Sequence, residues 1–202
     1  MAIDFFIIAP AGAADAFDYR SYSIVIVILL SGALVVISRS VVPIVAIIAA
    51  FALFAAALTL RAQTGHRMID ACLEASAWLL AGLVIIWVAA RAVFAPGRIT
   101  YHRVIGAVLV YLTIGLVFVA LYTLVGALSP LSFSGLRVVD RTTLPSDLIY
   151  FSFSTLTSVG YGDIVPVHPF ARSLSNLEAI IGQLYPATLL ARLVSLGQRP
   201  RS

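Results

Sequence analysis

The sequence predicts an all-α membrane protein: five transmembrane helices, with a short re-entrant helix and a glycine-containing loop set between the fourth and the fifth. Three observations predict it. Of 202 residues, 61% are hydrophobic and only 11% charged, whereas a soluble domain carries about 25% charged residues. Five apolar runs, at about 22–38, 41–60, 75–95, 103–128 and 173–196, are near the roughly 20 residues that cross a hydrocarbon core of about 30 Å. Between the last two, an apolar stretch from Ser146 leads directly into Thr157-Ser158-Val159-Gly160-Tyr161-Gly162-Asp163.

The elements follow in order. Residues 1–21 are expected to be a leader outside the membrane: Phe5 to Ala14 is apolar but broken by Pro10 and Gly12, with no basic residue upstream. That makes a poor signal peptide and an interfacial or disordered leader. Residues 22–100 form a three-helix membrane domain. Only Ser38, Arg39 and Ser40 separate its first two spans, and Pro43 suits the first turn of the second, so a tight antiparallel hairpin is expected. The fourth span, 103–128, opens a second module over 101–197. Residues 129–145 are polar and turn-rich, with Ser129-Pro130, Ser134-Gly135 and Asp140-Arg141. The helix expected over 146–157 is about 18 Å long at 1.5 Å per residue, too short to span but right for a re-entrant element reaching mid-membrane. Asp147 in its first turn suits the positive end of the helix dipole. The last span, 173–196, precedes a short tail at 198–202 and leaves no room for a soluble ligand-binding domain.

The loop after the half-helix carries the chemistry. An ordinary strand sends successive carbonyls to opposite sides, whereas glycines at positive φ alternating with L-residues turn all carbonyls one way. Ser158 to Gly162 would then stack four or five layers of oxygen over about 12 to 15 Å. Such a stack replaces the hydration shell of cations in single file, and closing each layer into a ring takes symmetry-related copies, most naturally four. Non-helical chain at membrane depth is tolerated where protein buries it or where it lines an aqueous cavity.

The run Thr155-Leu156-Thr157-Ser158-Val159-Gly160-Tyr161-Gly162-Asp163 resembles the signature of the tetrameric potassium channel family, T-x-T-T-V-G-Y-G-D. The resemblance covers residues 101–197, about half the chain, and is of the bacterial type. It implies a homotetramer in the lipid bilayer, with potassium as the permeant ion and no cofactor. It also implies an outer helix, a re-entrant pore helix, a selectivity filter and an inner helix over that half; with the three apolar runs before it, which do not share the resemblance, the fold expected is five transmembrane helices plus the re-entrant pore helix and filter. Carbonyls of Ser158, Val159, Gly160 and Tyr161 and the Ser158 hydroxyl would ligate potassium, with Gly162 capping the mouth and Thr157 supporting the filter. Ser158 departs from the family's threonine: it keeps the oxygen but loses the β-branch that stiffens χ1. Either the substitution is neutral, or it loosens the inner site and its discrimination against sodium. Tyr150 either braces Tyr161 or Asp163 or simply packs. Ser154 stands where some relatives hold an acid, and Asp163 also places negative charge at the mouth.

The last span is unusually polar for one facing lipid, with Ser175, Asn176, Glu178, Gly182, Gln183, Tyr185 and Pro186. Glu178 is the sole ionisable group deep in an expected span, and such acids face protein or water. Two readings stand: an acid hydrogen-bonded to the half-helix or a neighbouring subunit, or a water-accessible acid that tunes cation concentration or pH response. By resemblance Gly182 occupies the position of the family's hinge glycine, and Pro186 removes a backbone hydrogen bond. These mark a gating bend, unless Gly182 serves close helix packing.

If the loop enters from outside, the amino terminus lies outside and the carboxy terminus in the cytoplasm. The localisation expected is the cell inner (plasma) membrane. The thirteen basic residues, all arginine, then divide seven inside and six outside, nearly indecisive, but the short inside segments hold no acid. The net charge of +4 comes without a basic run or aromatic platform, so no nucleic-acid partner is expected. No span carries arginine at every third position, which argues against steep voltage gating. Cys72 reads as a small packing group, and His66, His102 and His168 as ordinary loop residues. A membrane enzyme or receptor with a filter-like loop is the competing class; the spans show it no nucleophile with base, paired carboxylates or metal triad.

Overall fold

The computed structural model describes residues 67–94, 101–129, 131–136 and 144–197, and the expected leader, the first two expected spans and the tail lie outside them. The described chain is mostly helical: α1 (Arg67–Phe94), α2 (Tyr101–Leu128), α3 (Leu144–Leu156) and α4 (Pro169–Gly197). Two short strands, β1 (Phe133–Ser134) and β2 (Val165–Pro166), join the loops on either side of α3.

α1 and α2 pack antiparallel. Gly82 of α1 lies against Val117 and Gly106 of α2 against Val93, so the chain index rises on one helix as it falls on the other. At Gly82 a β-carbon would stand 2.4 Å from Val117 Cγ2; the absent side chain sets how closely the helices approach.

α3 lies against α2 and α4, and its position is fixed by small residues and aromatic rings. Phe153 packs on Gly115 of α2, where a β-carbon would be 3.0 Å from the ring. Tyr122, at the centre of the core, meets Phe151 of α3 and Phe133 of β1 edge-on, with ring centroids 5.0 and 5.6 Å away. Phe133 and Phe151 make a third edge-on pair at 5.5 Å. Such contacts add about 0.5–1.5 kcal/mol each beyond area burial.

The strand pairing is antiparallel, Phe133 opposite Pro166 and Ser134 opposite Val165. The Ser132 carbonyl also accepts from the Val167 and His168 amides at 2.8 and 3.2 Å. Sequence patterning predicts only turns here, because two-residue strands carry no periodicity.

The helices differ from the expected boundaries at their ends. α3 begins at Leu144 rather than 146 and stops at Leu156, and α4 begins at Pro169, four residues before the expected start. Proline suits the first helical position, since its missing N–H has no partner there in any case. Among the described residues, one helical segment is long and apolar enough to cross a membrane by itself, Arg103–Leu128 with mean hydropathy 2.7. The apolar part of α1, Ala75–Arg91, is shorter. α4 is long enough, about 44 Å at 1.5 Å per residue, but its polar side chains lower its hydropathy.

Candidate ion-conduction site

Backbone geometry at 158–162 follows the alternation expected from the glycines and extends it to a serine. Ser158, Gly160 and Gly162 take φ of 58°, 56° and 82°, so left-handed conformations fall at every second residue. Ser158 is the only positive-φ non-glycine among the described residues. A β-branched side chain is an outlier in that region, so serine is less crowded there than threonine, although any L-residue holds such a φ at a cost of about 1–2 kcal/mol.

Hydrogen bonds settle where the peptides point. The Ser158 amide donates to the Thr155 carbonyl at 2.9 Å, and the amides of Val159 and Gly160 donate to the Ser154 carbonyl at 2.9 and 3.2 Å. In a planar trans peptide the carbonyl points opposite to its N–H. The carbonyls of Thr157, Ser158 and Val159 are therefore turned together, away from α3. Thr157 folds its own hydroxyl back onto the Phe153 carbonyl at 2.7 Å.

The outer end of the segment is held from two sides. Tyr150 of α3 stacks on Tyr161, with centroids 5.5 Å apart and planes 13° from parallel, and interacts electrostatically with the Asp163 side chain. Gly135, at φ 87°, presses against the Asp163 carbonyl, where a β-carbon would stand at 1.9 Å. Only glycine fits there, on grounds of both φ and space.

The inner end is held by α4. Gln183 Nε2 donates to Ser158 Oγ at 2.9 Å. Gly182 lies under the last carbonyl of α3, that of Leu156, which also accepts from Tyr111 of α2 at 3.3 Å. Pro186, inside α4, has no N–H to offer the Gly182 carbonyl four residues before it.

Glu178 is fully buried. Tyr122 donates to its Oε2 at 2.6 Å and Ser152 to its Oε1 at 2.5 Å, and Ser152 Oγ also lies 2.8 Å from the Gly115 carbonyl. The carboxyl thus ties α4 to both α2 and α3. Ser152 and Tyr122 escaped the sequence reading: the half-helix also carries Ser146, Asp147, Ser154 and Thr155, and nothing in the sequence singles Ser152 out among them. Gly135 also escaped it, since a turn glycine gives no hint of what presses on it. Among the described residues no group of His, Cys, Asp and Glu is arranged to hold a metal ion.

A half-helix that binds back the amides of an alternating-φ loop, flanked by two long helices, is an arrangement that fits an ion channel. The family model described as "Ion channel" matches residues 75–199, and the chain belongs to that ion-channel family; it is a membrane protein. Curated relatives include Protein LctB of Bacillus caldotenax, 42% identical over 27% of this chain and 40% of that protein. Protein LctB of Geobacillus stearothermophilus is 39% identical over 33% of this chain and 46% of its own length. The inward rectifier potassium channel Kirbac3.1 of Paramagnetospirillum magnetotacticum is 31% identical over 40% of this chain and 28% of that protein. The chain thus spans less than half the length of each of these relatives. No solved structure matches it.

Proposed function

We propose that the chain forms a potassium-selective channel, a homotetramer passing K+ passively across the bilayer. The observation that carries this reading is the set of bonds from the Ser158, Val159 and Gly160 amides to Ser154 and Thr155, which commits the opposite carbonyls to one direction. Carbonyls so fixed replace hydration water around a large monovalent cation at no cost in reorganisation. By resemblance Ser158, Val159, Gly160 and Tyr161 supply the oxygens, those of Ser158 and Val159 among the carbonyls so fixed, while Gly162 caps the outer mouth and Thr157, Tyr150 and Asp163 hold the frame.

Every residue from Thr157 to Asp163 is exposed in the single chain. Irregular backbone at membrane depth needs protein or an aqueous path around it, and fourfold closure supplies both. α4 is also exposed along a continuous apolar stripe that includes Leu177, Ile180, Leu184 and Val194, a surface for neighbouring subunits and lipid. That the relative Kirbac3.1 is a potassium channel supports the choice of ion.

The domain layout follows: a three-helix domain over 22–100, then outer helix, pore helix, filter and inner helix over 101–197. The amino terminus lies outside and the carboxy terminus in the cytoplasm, in the cell inner membrane. The second reading, a weakly selective monovalent cation channel, rests on Ser158 in place of threonine. Reversal potentials of the purified protein in bilayers with K+ on one side and Na+ on the other test the choice. A strongly K+-selective potential is expected; equal permeability sinks the potassium reading in favour of the second.

A further inference from the structure

We propose that Gln183 is a positioning residue for ion selection: its side-chain amide fixes the Ser158 hydroxyl and so takes over the role a β-branch would have in holding the innermost oxygen ring. The inference rests on the potassium-filter reading above. Its basis is the direct bond from Gln183 Nε2 to Ser158 Oγ, 2.9 Å long and reaching across 25 residues of sequence.

The chemistry of the pair is specific. A serine hydroxyl carries two acceptor lone pairs and one donor proton, and rotates to suit its surroundings. With one lone pair occupied by the Gln183 amide, χ1 of Ser158 is set and the second lone pair remains for a cation. Threonine would restrict χ1 by its own branching, but at φ 58° a branched side chain is disfavoured. Serine with an external tether thus satisfies backbone and oxygen together.

The tether is itself anchored. Gln183 follows Gly182, whose contact with the Leu156 carbonyl holds this turn of α4 against the carboxyl end of α3. Tyr185, two residues on, donates to the Ala107 carbonyl at 2.9 Å. The amide is therefore presented to Ser158 from a fixed stretch of helix, so its loss is not made up by a shift of the backbone.

The test is a double-mutant cycle on the full chain in planar bilayers. Gln183→Met keeps length and flexibility but cannot donate. It is expected to lower the K+/Na+ permeability ratio roughly three- to tenfold, the factor matching the net worth of one hydrogen bond. In a Ser158→Ala background, which has no hydroxyl to hold, the same change is expected to do nothing further. Block by internal Ba2+, a cation of potassium's size, is expected to weaken in Gln183→Met by a similar factor. Should Gln183→Met not assemble, Gln183→Asn, too short to reach Ser158, carries the same expectations. An unaltered ratio and unaltered block in a selective channel overturn the inference while leaving the potassium reading intact. So does an equal loss in both backgrounds. Equal K+ and Na+ permeability in the unmodified protein overturns the potassium reading and this inference with it.

Discussion

Gly182 of the inner helix sits so close beneath Leu156 that a β-carbon built on it would stand 1.9 Å from the Leu156 carbonyl oxygen. That contact seats the end of the half-helix on α4, two residues before the loop of alternating φ begins at Ser158. A single added methyl group cannot be accommodated without moving backbone, because the opposing atom belongs to the main chain.

Gly182→Ala is therefore expected to destabilise the protein by about 1–3 kcal/mol through overpacking and to abolish conduction by displacing the loop. Gly126→Ala is the matched control: Gly126 is also helical, but nothing lies within 4 Å of an added β-carbon. There the substitution is expected to be neutral or to stabilise by about 0.5–1 kcal/mol. Thermal unfolding in detergent, with flux into liposomes, checks both.

Gly160→Ala has open space around its β-carbon yet a φ of 56°, so its defect is conformational, not steric. Holding an L-residue there costs about 1–2 kcal/mol, and in the proposed tetramer that cost recurs in each subunit. Loss of K+ flux with normal assembly on gel filtration is the expected outcome; wild-type flux would show that the loop does not line the path.

Tyr122→Phe leaves Oε2 of the buried Glu178 carboxyl without its donor at 2.6 Å, and Ser152→Ala does the same to Oε1. Each is expected to lower stability by about 1–3 kcal/mol, and the two together are expected to be non-additive because both act on one carboxyl group. Unfolding temperatures of the single and double variants measure the coupling, and strict additivity would argue against a shared network.

Tyr150 supports the Asp163 end of the loop by stacking on Tyr161 and by its electrostatic interaction with the Asp163 side chain. Tyr150→Phe keeps the ring and loses the hydroxyl, so a small fall in K+/Na+ selectivity is expected. Tyr150→Leu removes both contacts, and a larger fall is expected. Reversal potentials of the two variants give the order, and equal effects would assign the support to the hydroxyl alone.

Much of the half-helix and loop was legible because local chemistry dictates them. Glycines at 160 and 162 require no partner to favour positive φ, and an apolar run of half a membrane's depth announces itself by length. The polar residues of α4 announced protein or water contacts in the same way. What each of them touches was not legible. Glu178 finds Tyr122 across 56 residues of sequence and Gln183 finds Ser158 across 25, and no periodicity encodes such pairs. The choice between a hinge and a packing glycine at 182 was open for the same reason: φ/ψ freedom and absence of a side chain are one property until a neighbour is present. Ser158 escaped as a positive-φ position because residue type favours that region strongly only for glycine.

By itself the sequence determined that the chain is a membrane protein with a half-helix leading into a glycine-containing loop: those properties follow from hydropathy, segment length and the backbone freedom of two glycines, all local quantities. The tertiary structure decided how the loop is held. The amides of 158–160 are spent on Ser154 and Thr155, Gly135 and Tyr150 clamp the Asp163 end, and Gly182 and Gln183 fix the Leu156 and Ser158 end. The amide bonds that aim the carbonyls reach back only three to six residues, but Gly135 meets Asp163 across 28 residues and Gln183 meets Ser158 across 25, contacts that form only when the chain packs.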